Sequence, residues 1–182
     1  MTPDLTFILG GARSGKSAHA ERLAGQSGLP VTYIATARIN DMEFAERVRL
    51  HRERRPAHWA LVEAPLDLAN ALREADREGH CVLIDCLTLW LANLLFTSDA
   101  ASEDIAVLPE RARESFAQFD AALAQARGKV IVVSNEIGLG VVPLGSVTRL
   151  YVDELGRLNQ RVAAASTHAT LMVAGLPLAL KG

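Results

Sequence analysis

The chain has 182 residues, 49% of them hydrophobic and 22% charged, so one domain can bury a full apolar core without disulfides or a structural metal. A formal net charge of −2 does not favour a protein dominated by nucleic-acid binding, which usually presents a basic face. No apolar run approaches the roughly 20 residues that span a bilayer, and the first residues lack the basic region of a secretory signal.

Short apolar runs rich in β-branched residues alternate with longer helical patterns along the chain. The predicted strands are residues 5–9, 31–35, 81–85, 129–134, 170–174 and a short last one near 178–181. They are apolar along nearly their whole length, as is typical of strands covered on both faces. The two cysteines, Cys81 and Cys86, flank one of these strands without metal-ligand spacing, so we expect buried thiols in a cytoplasmic protein.

Two segments between the strands carry an apolar residue every three or four positions, which predicts helices with one buried face. The first stripe is Ala112, Phe116, Phe119, Leu123 and Ala126, and the second is Tyr151, Leu155, Leu158, Val162 and Ala165. Alternating strands and helices predict a single α/β domain over residues 1–182, with a mostly parallel sheet and helices on both faces. Residues 97–110 are predicted to be a polar, acidic surface connection. Ligands of such sheets bind beyond the carboxyl ends of the strands.

A glycine-rich loop follows the first predicted strand and precedes a predicted helix over residues 17–24. It fits the pattern G-x-x-x-x-G-K-[ST] with Gly10, Gly11, Ala12, Arg13, Ser14, Gly15, Lys16 and Ser17. In such a loop the backbone N–H groups surround phosphate oxygens, the lysine reaches the β- and γ-phosphates, and the hydroxyl can bind Mg²⁺. The loop therefore predicts a P-loop NTPase-type fold that uses ATP or GTP.

Two further strands end in polar residues. Asp85 closes an apolar strand, as does the acid on the Mg²⁺ side of P-loop enzymes, but an aspartate before Thr88 and the helical residues 89–95 could equally cap that helix. Residues 134–136 (SNE) follow another strand and could orient a substrate or a water molecule, or could form a turn that satisfies its own backbone.

Residues 47–55 (RVRLHRERR) contain five arginines around His51. Three interpretations stay open at this point. The segment could be a solvated charged helix that ends at Pro56, or a nucleic-acid patch, although Trp59 is the one aromatic residue beside it. A neutral His51 could also attack phosphorus while the arginines stabilise the charge of a triphosphate.

The chain resembles the bifunctional adenosylcobinamide kinase/adenosylcobinamide-phosphate guanylyltransferase family of cobalamin biosynthesis. The matching stretches run in order through nearly the whole chain: GGARSGKS at 10–17, YIAT at 33–36, RPAHW at 55–59 after the histidine, NEIGLG at 135–140 with Pro143 after it, and LNQRVAAA at 158–165. The phosphate-loop motif is shared by many families, whereas RPAHW and NEIGLG in this order are much more specific.

The resemblance implies two reactions. A kinase step phosphorylates the hydroxyl of the aminopropanol arm of adenosylcobinamide with ATP or GTP, and a transferase step adds GMP from GTP, which releases pyrophosphate and leaves adenosylcobinamide-GDP. It implies Mg²⁺, held by Ser17 and Asp85, and a homotrimer. From the net charge of −2 we expect no nucleic-acid partner. Lys16 would be catalytic, and the guanylylated histidine of the family falls on His51. Its nucleotide contacts fall on Gly10 to Ser17, Thr36, Ala37, Arg38, Arg52, Glu53, Arg54, Arg55, Glu63 and Asp85.

The chain departs from the family pattern at two positions. The family has paired histidines where this chain has Leu50 and His51, and it has a glutamate where this chain has Asp85. Asp85 could read the guanine edge instead of binding the metal. Two rival functions share the phosphate loop: a kinase of another small metabolite, with the arginine segment as a lid, and a DNA-dependent, recombinase-like ATPase.

Overall fold

The computed structural model describes residues 3–38, 56–96 and 107–182. The strands are β1 (Asp4–Gly10), β2 (Val31–Ala35), β3 (Ala60–Glu63), β4 (Cys81–Asp85), β5 (Lys129–Asn135), β6 (His168–Val173) and β7 (Leu176–Lys181). The helices are α1 (Lys16–Gln26), α2 (Leu68–Ala75), α3 (Leu87–Leu95), α4 (Glu110–Ala124) and α5 (Ser146–Ala165). The predicted order of strands and helices is confirmed, with β3 and α2 added to it.

The seven strands form one sheet in the order β3-β2-β4-β5-β1-β6-β7. Every neighbouring pair is parallel except the β6–β7 hairpin, which is antiparallel. The mostly parallel α/β sheet is therefore confirmed. Strand β5 lies between β1 and β4, and it pairs Gly10 with Asn135 and Asp85 with Val133. This register brings the carboxyl ends of the three strands to one edge.

Helices cover both faces of the sheet. On one face α1 places Ala20 and Ala24 against strand residues such as Ile8 and Leu83. On the other face, α2, α3, α4 and α5 form the larger core around the fully buried Trp90, whose ring lies 5.6 Å from that of Phe116 and 5.2 Å from that of Phe119. A fully buried side chain of this kind stabilises the fold by about 1.5–3 kcal/mol.

The two predicted helical stripes are core faces along most of their length, although Ala165 is exposed and Ala126 lies beyond the end of α4. The residues of α4 and α5 that are buried there are Ala112, Phe116, Phe119, Leu123, Leu155, Leu158 and Val162. The two thiols are buried and unpaired, as expected. Burial raises the pKa of both Cys81 and Cys86 to about 11.

The structure differs from the sequence prediction at the edges of the sheet and in one connection. Strand β3 was not predicted, because it is an edge strand whose side chains are mostly exposed. Strand β7 begins at Leu176 and is exposed along its length. Of the predicted connection at 97–110, residues 97–106 lie outside the described ranges and Glu110 already belongs to α4. Among the helices described, none combines the length and the apolar character needed to cross a membrane.

Candidate functional site

The phosphate loop connects β1 to α1 at the carboxyl edge of the sheet. Gly15 is the residue before α1 and has φ 92°, a backbone conformation that residues other than glycine rarely adopt. The Ser14 N–H donates to the Gly11 carbonyl at 3.3 Å, and the His19 N–H donates to the Gly15 carbonyl at 2.9 Å. The chain thus turns tightly from strand to helix, which places the N-terminus of α1 at the end of the loop, where a helix dipole favours phosphate.

Lys16 and Ser17 occupy the first turn of α1. The Lys16 ammonium donates to the Gly11 carbonyl across the loop at 3.1 Å, so the loop itself holds the lysine over its own backbone. Both residues are half-buried. A positive charge held there, beside the N-terminus of a helix, is an arrangement that binds polyphosphates.

Asp85 lies at the end of β4 and accepts a hydrogen bond from the Tyr33 hydroxyl at 3.1 Å. The residue that caps α3 is Cys86, whose side chain makes no capping hydrogen bond. The alternative that Asp85 is only a helix cap is therefore wrong. Burial, and next the negative charge of Asp85, raise the pKa of the Cys86 thiol, whereas the Lys16 charge opposes this rise. The phosphate loop that carries Lys16 follows β1, and Asp85 ends β4, so both lie at the carboxyl edge of the sheet on either side of β5.

Thr36 follows β2 and is completely buried. Its hydroxyl donates to the Cys86 carbonyl at 2.7 Å and accepts from the Cys86 N–H at 2.9 Å. The side chain therefore ties the end of β2 to the turn that carries Asp85. Ala37 and Arg38 follow it and are half-buried, and Glu63 is exposed at the end of β3.

Asn135 ends β5, between the phosphate loop and Asp85. Its N–H donates to the Thr88 hydroxyl at 2.9 Å, and its carbonyl accepts from the Asn159 side chain at 3.0 Å. The Glu136 N–H donates to the Gly10 carbonyl at 3.1 Å. Within the described ranges the buried Oδ1 atom of Asn135 has no hydrogen-bond partner. Because buried acceptors are almost always satisfied, the unsatisfied atom makes Asn135 a candidate site residue.

Residues 134–136 were predicted either to orient a substrate or to form a turn, and the structure gives each of these roles to a different side chain. The Glu136 carboxylate accepts from the Gly138 N–H at 2.6 Å and so serves a turn, whereas the Asn135 side-chain oxygen has no hydrogen-bond partner in the described structure. Asn135 is the functional candidate that the sequence prediction did not include among its site residues. Its position after a buried strand, next to the motif NEIGLG, was the available signal.

The donor set at this edge fits Mg²⁺. Ser17 and Asp85 offer a hydroxyl and a carboxylate, which are the hard oxygen ligands that Mg²⁺ prefers. In the part of the chain that the structure describes, no group of three or more His, Cys, Asp or Glu side chains could hold a metal ion. A magnesium ion bound by these two residues would therefore take its other ligands from phosphates and water, as it does in many P-loop enzymes.

Some predicted residues are not brought into the site by the described structure. His51, Arg52, Glu53, Arg54 and Arg55 lie outside the described residues. The chain is described again from Pro56, whose carbonyl accepts from the Trp59 N–H at 3.1 Å, and Trp59 packs with the core beneath α1.

A separate groove of about 300 Å³ lies among α2, α3 and α4, with Leu66, Trp90 and Arg111 in its lining. None of its lining residues belongs to the predicted site. It opens on the helical layer, so we do not assign it to the nucleotide.

Comparison with known proteins identifies the family. A sequence model described as cobinamide kinase / cobinamide phosphate guanyltransferase matches residues 6–180. The bifunctional adenosylcobalamin biosynthesis protein CobP of Pseudomonas aeruginosa is 52% identical over 97% of this chain and 96% of its own length. The corresponding CobU of Escherichia coli is 37% identical over 97% of this chain and 99% of its own length.

Solved structures show the fold alone. The PH0250 protein of Pyrococcus horikoshii matches with a TM-score of 0.57 at 7% identity, over 98% of this chain and 86% of that one. The RadB recombinase matches with a TM-score of 0.51 at 18% identity, over 93% and 74% respectively. The predicted α/β fold is confirmed by this likeness. On the match of the family model and its near full-length relatives, the chain belongs to the cobinamide kinase / cobinamide phosphate guanyltransferase family.

Proposed function

We propose that the chain performs both reactions of its family at the single phosphate loop of residues 10–17. It is an enzyme that is both a cobinamide kinase and a cobinamide phosphate guanylyltransferase, and the family match supports this function over a kinase of another metabolite or a DNA-dependent ATPase. The observation that carries the proposal is the Lys16 ammonium held over the phosphate loop, at the edge where Asp85 and Asn135 also lie.

In the kinase step, the hydroxyl oxygen of the aminopropanol arm of adenosylcobinamide forms a bond to the γ-phosphorus of ATP or GTP. The bond from that phosphorus to the bridging oxygen breaks, a nucleoside diphosphate leaves, and the hydroxyl proton passes to solvent. The loop N–H groups and Lys16 hold the phosphates and offset the charge that develops on them. When bound by Ser17 and Asp85, Mg²⁺ supplies further charge neutralisation at the phosphates.

We assign Asn135 to this step as a residue that contacts the substrate. Its Oδ1 atom has no hydrogen-bond partner in the described structure and would accept a hydrogen bond from the attacking hydroxyl, while Thr88 and Asn159 hold its backbone in place. An amide oxygen cannot take the proton, so its contribution would be orientation of the nucleophile.

In the transfer step, an imidazole nitrogen of His51 forms a bond to the α-phosphorus of GTP and pyrophosphate leaves. An oxygen of adenosylcobinamide phosphate then attacks the same phosphorus, which releases His51 and gives adenosylcobinamide-GDP. Arg52, Arg54 and Arg55 would stabilise the charge of the triphosphate. This assignment is supported by the family position that falls on His51 and by the arginines around it in the sequence; Thr36, Ala37, Arg38, Glu53 and Glu63 stay predicted nucleotide contacts.

We also propose a cytoplasmic homotrimer. Strand β7 lies at the edge of the described sheet, and its Leu176, Leu178 and Leu180 are each more than half exposed. Apolar edge strands are commonly covered by another chain. Light scattering of the purified protein would give three times the chain mass if the proposal holds, and a monomer mass would contradict it.

The direct test of function is product analysis with one purified protein. Adenosylcobinamide with ATP and Mg²⁺ should give the phosphate ester, and later addition of GTP should give adenosylcobinamide-GDP and pyrophosphate. Lys16→Ala should stay folded and lose both reactions, because it removes the positive charge from the shared loop. Transfer at the wild-type rate by this variant would require a second nucleotide site and contradict the proposal.

A further inference from the structure

The turn of the C-terminal hairpin touches the phosphate loop. Residues Ala174 and Gly175 connect β6 to β7 in a two-residue turn between the paired residues Val173 and Leu176. The Gly175 N–H donates to the Ser14 carbonyl at 3.0 Å. A β-carbon on Gly15 would lie 3.3 Å from the Gly175 α-carbon. The turn is thus in backbone contact with the tightest part of the loop.

Strand β6 supports the same loop from its other end. It pairs with β1 so that Met172 stands opposite Gly10. A β-carbon on Gly10 would lie 2.8 Å from the Met172 carbonyl oxygen and 3.1 Å from its β-carbon. The beginning of the phosphate loop therefore packs on β6, while Ser14 and Gly15 pack on the turn that follows it.

The turn has a defined conformation. Ala174 and Gly175 both have positive φ, 51° and 81°, as in the mirror-image turns that suit the twist of two-residue hairpins. Two consecutive residues in this conformation aim the Gly175 N–H away from the hairpin ladder and toward Ser14. A β-branched residue at Gly175 would strongly disfavour the conformation.

We propose that Gly175 is a positioning residue for nucleotide binding. By holding the Ser14 carbonyl, it fixes the peptide units of Ser14 and Gly15, so that the loop N–H groups face the phosphates before the nucleotide arrives. Pre-organised donors bind more tightly because no ordering of the loop opposes binding. The inference rests on the proposed function of the loop as the nucleotide site. It extends that site to the C-terminal hairpin, far from the phosphate loop in sequence.

The chain offers a matched control for this role. Gly79, in the turn before β4, also has a positive φ of 72°, and a β-carbon there would likewise meet nothing within 4 Å. Gly79 lies before the amino end of its strand, at the edge of the sheet opposite the loop. Valine at either position therefore introduces similar backbone strain in open space, but only one of the two positions touches the phosphate loop.

The test compares Gly175→Val with Gly79→Val in the full chain. Both should lower the Tm by a similar few degrees. Gly175→Val should raise the Kd of GTP about tenfold, equivalent to about 1.4 kcal/mol, whereas Gly79→Val should leave it within twofold of wild type. An unchanged Kd in folded Gly175→Val, or an equal rise in Gly79→Val, would overturn the proposal.

A measurement on the unmodified protein covers the case in which Gly175→Val does not fold. Amide hydrogen exchange of the segment that contains Gly175 should slow by several fold when GTP binds, because binding and loop order are linked reciprocally. Unchanged exchange at saturating GTP would overturn the role of Gly175 alone. Wild-type protein that binds no GTP would instead contradict the proposed function, so the two failures are distinguishable.

Discussion

Replacing Thr36 with valine should destabilise the fold by about 3 kcal/mol, although valine has nearly the same shape. The Thr36 hydroxyl makes two hydrogen bonds to the backbone of Cys86, as donor at 2.7 Å and as acceptor at 2.9 Å. Thr36 is 0% exposed, so water cannot replace the lost partner. A buried polar group left unsatisfied costs about 1–3 kcal/mol, and two such groups remain on Cys86 in this variant.

The assay is urea unfolding of the wild type, Thr36→Val and Thr36→Ser. Serine keeps the hydroxyl and loses one methyl group, so its cost should be about 1 kcal/mol. Because the Cys86 backbone follows Asp85 directly, Thr36→Val should also raise the KM for the nucleotide, whereas Thr36→Ser should not. A loss of less than about 1 kcal/mol for valine, at the lower end of the cost of a single unsatisfied group, would refute this account of the end of β2.

Three further predictions follow from the site. Asp85→Asn should slow Mg²⁺-dependent turnover if the carboxylate binds the metal, and it should raise the KM for GTP but not for ATP if the carboxylate reads guanine. Titration with Mg²⁺ and with both nucleotides checks this, and unchanged kinetics would leave Asp85 without a catalytic role. Asn135→Ala should slow the kinase step about a hundredfold with little change in GTP binding, since positioning effects reach this size. A loss of GTP affinity as large as the loss of rate would make Asn135 a structural residue instead. The stability of the fold should fall as pH rises from about 9, because the thiols of the unfolded chain ionise near 9 while burial raises the pKa of folded Cys81 and Cys86 to about 11. Between these pH values the unfolded state binds fewer protons than the folded state, which favours unfolding. Urea midpoints at pH 8 and pH 10 measure this fall, and equal midpoints would contradict it.

The sequence predicts the central strands well and the sheet edges poorly. Strands β1, β4 and β5 are buried on both faces, so their continuous apolar runs are visible in the sequence. Strand β3 is four residues long and its side chains face solvent, so no apolar run marks it. Helix α2 has a recognisable start in the sequence, because the Asp67 side chain caps it by accepting from the Asn70 N–H at 3.2 Å.

The site could be predicted where its residues are close together in sequence and form a recognisable motif. The phosphate loop is such a motif, because its glycines, lysine and serine act through neighbouring peptide units. The contacts of Thr36 with Cys86 and of Gly175 with Ser14 join residues that are distant in sequence. No spacing rule encodes such contacts, since they depend on the order of strands in the sheet.

The dependence on strand order also limits what the sequence shows about Asp85 and Asn135. Both follow buried strands, so each was recognised as lying at the binding edge. That β5 stands between β1 and β4 is set by packing. This order places Asn135 between the loop and Asp85, which its sequence position alone does not reveal.

The central claim is that one phosphate loop supports two reactions, the second through His51. It is tested most directly by the intact mass of the protein after incubation with GTP and Mg²⁺. The wild type should gain the mass of one GMP, in a linkage that is labile to acid and stable to alkali, as a phosphoramidate is. His51→Ala should gain nothing while still binding nucleotide, because residues 10–17 are unchanged. A wild type that stays unmodified, or an adduct that survives in His51→Ala, would contradict the account.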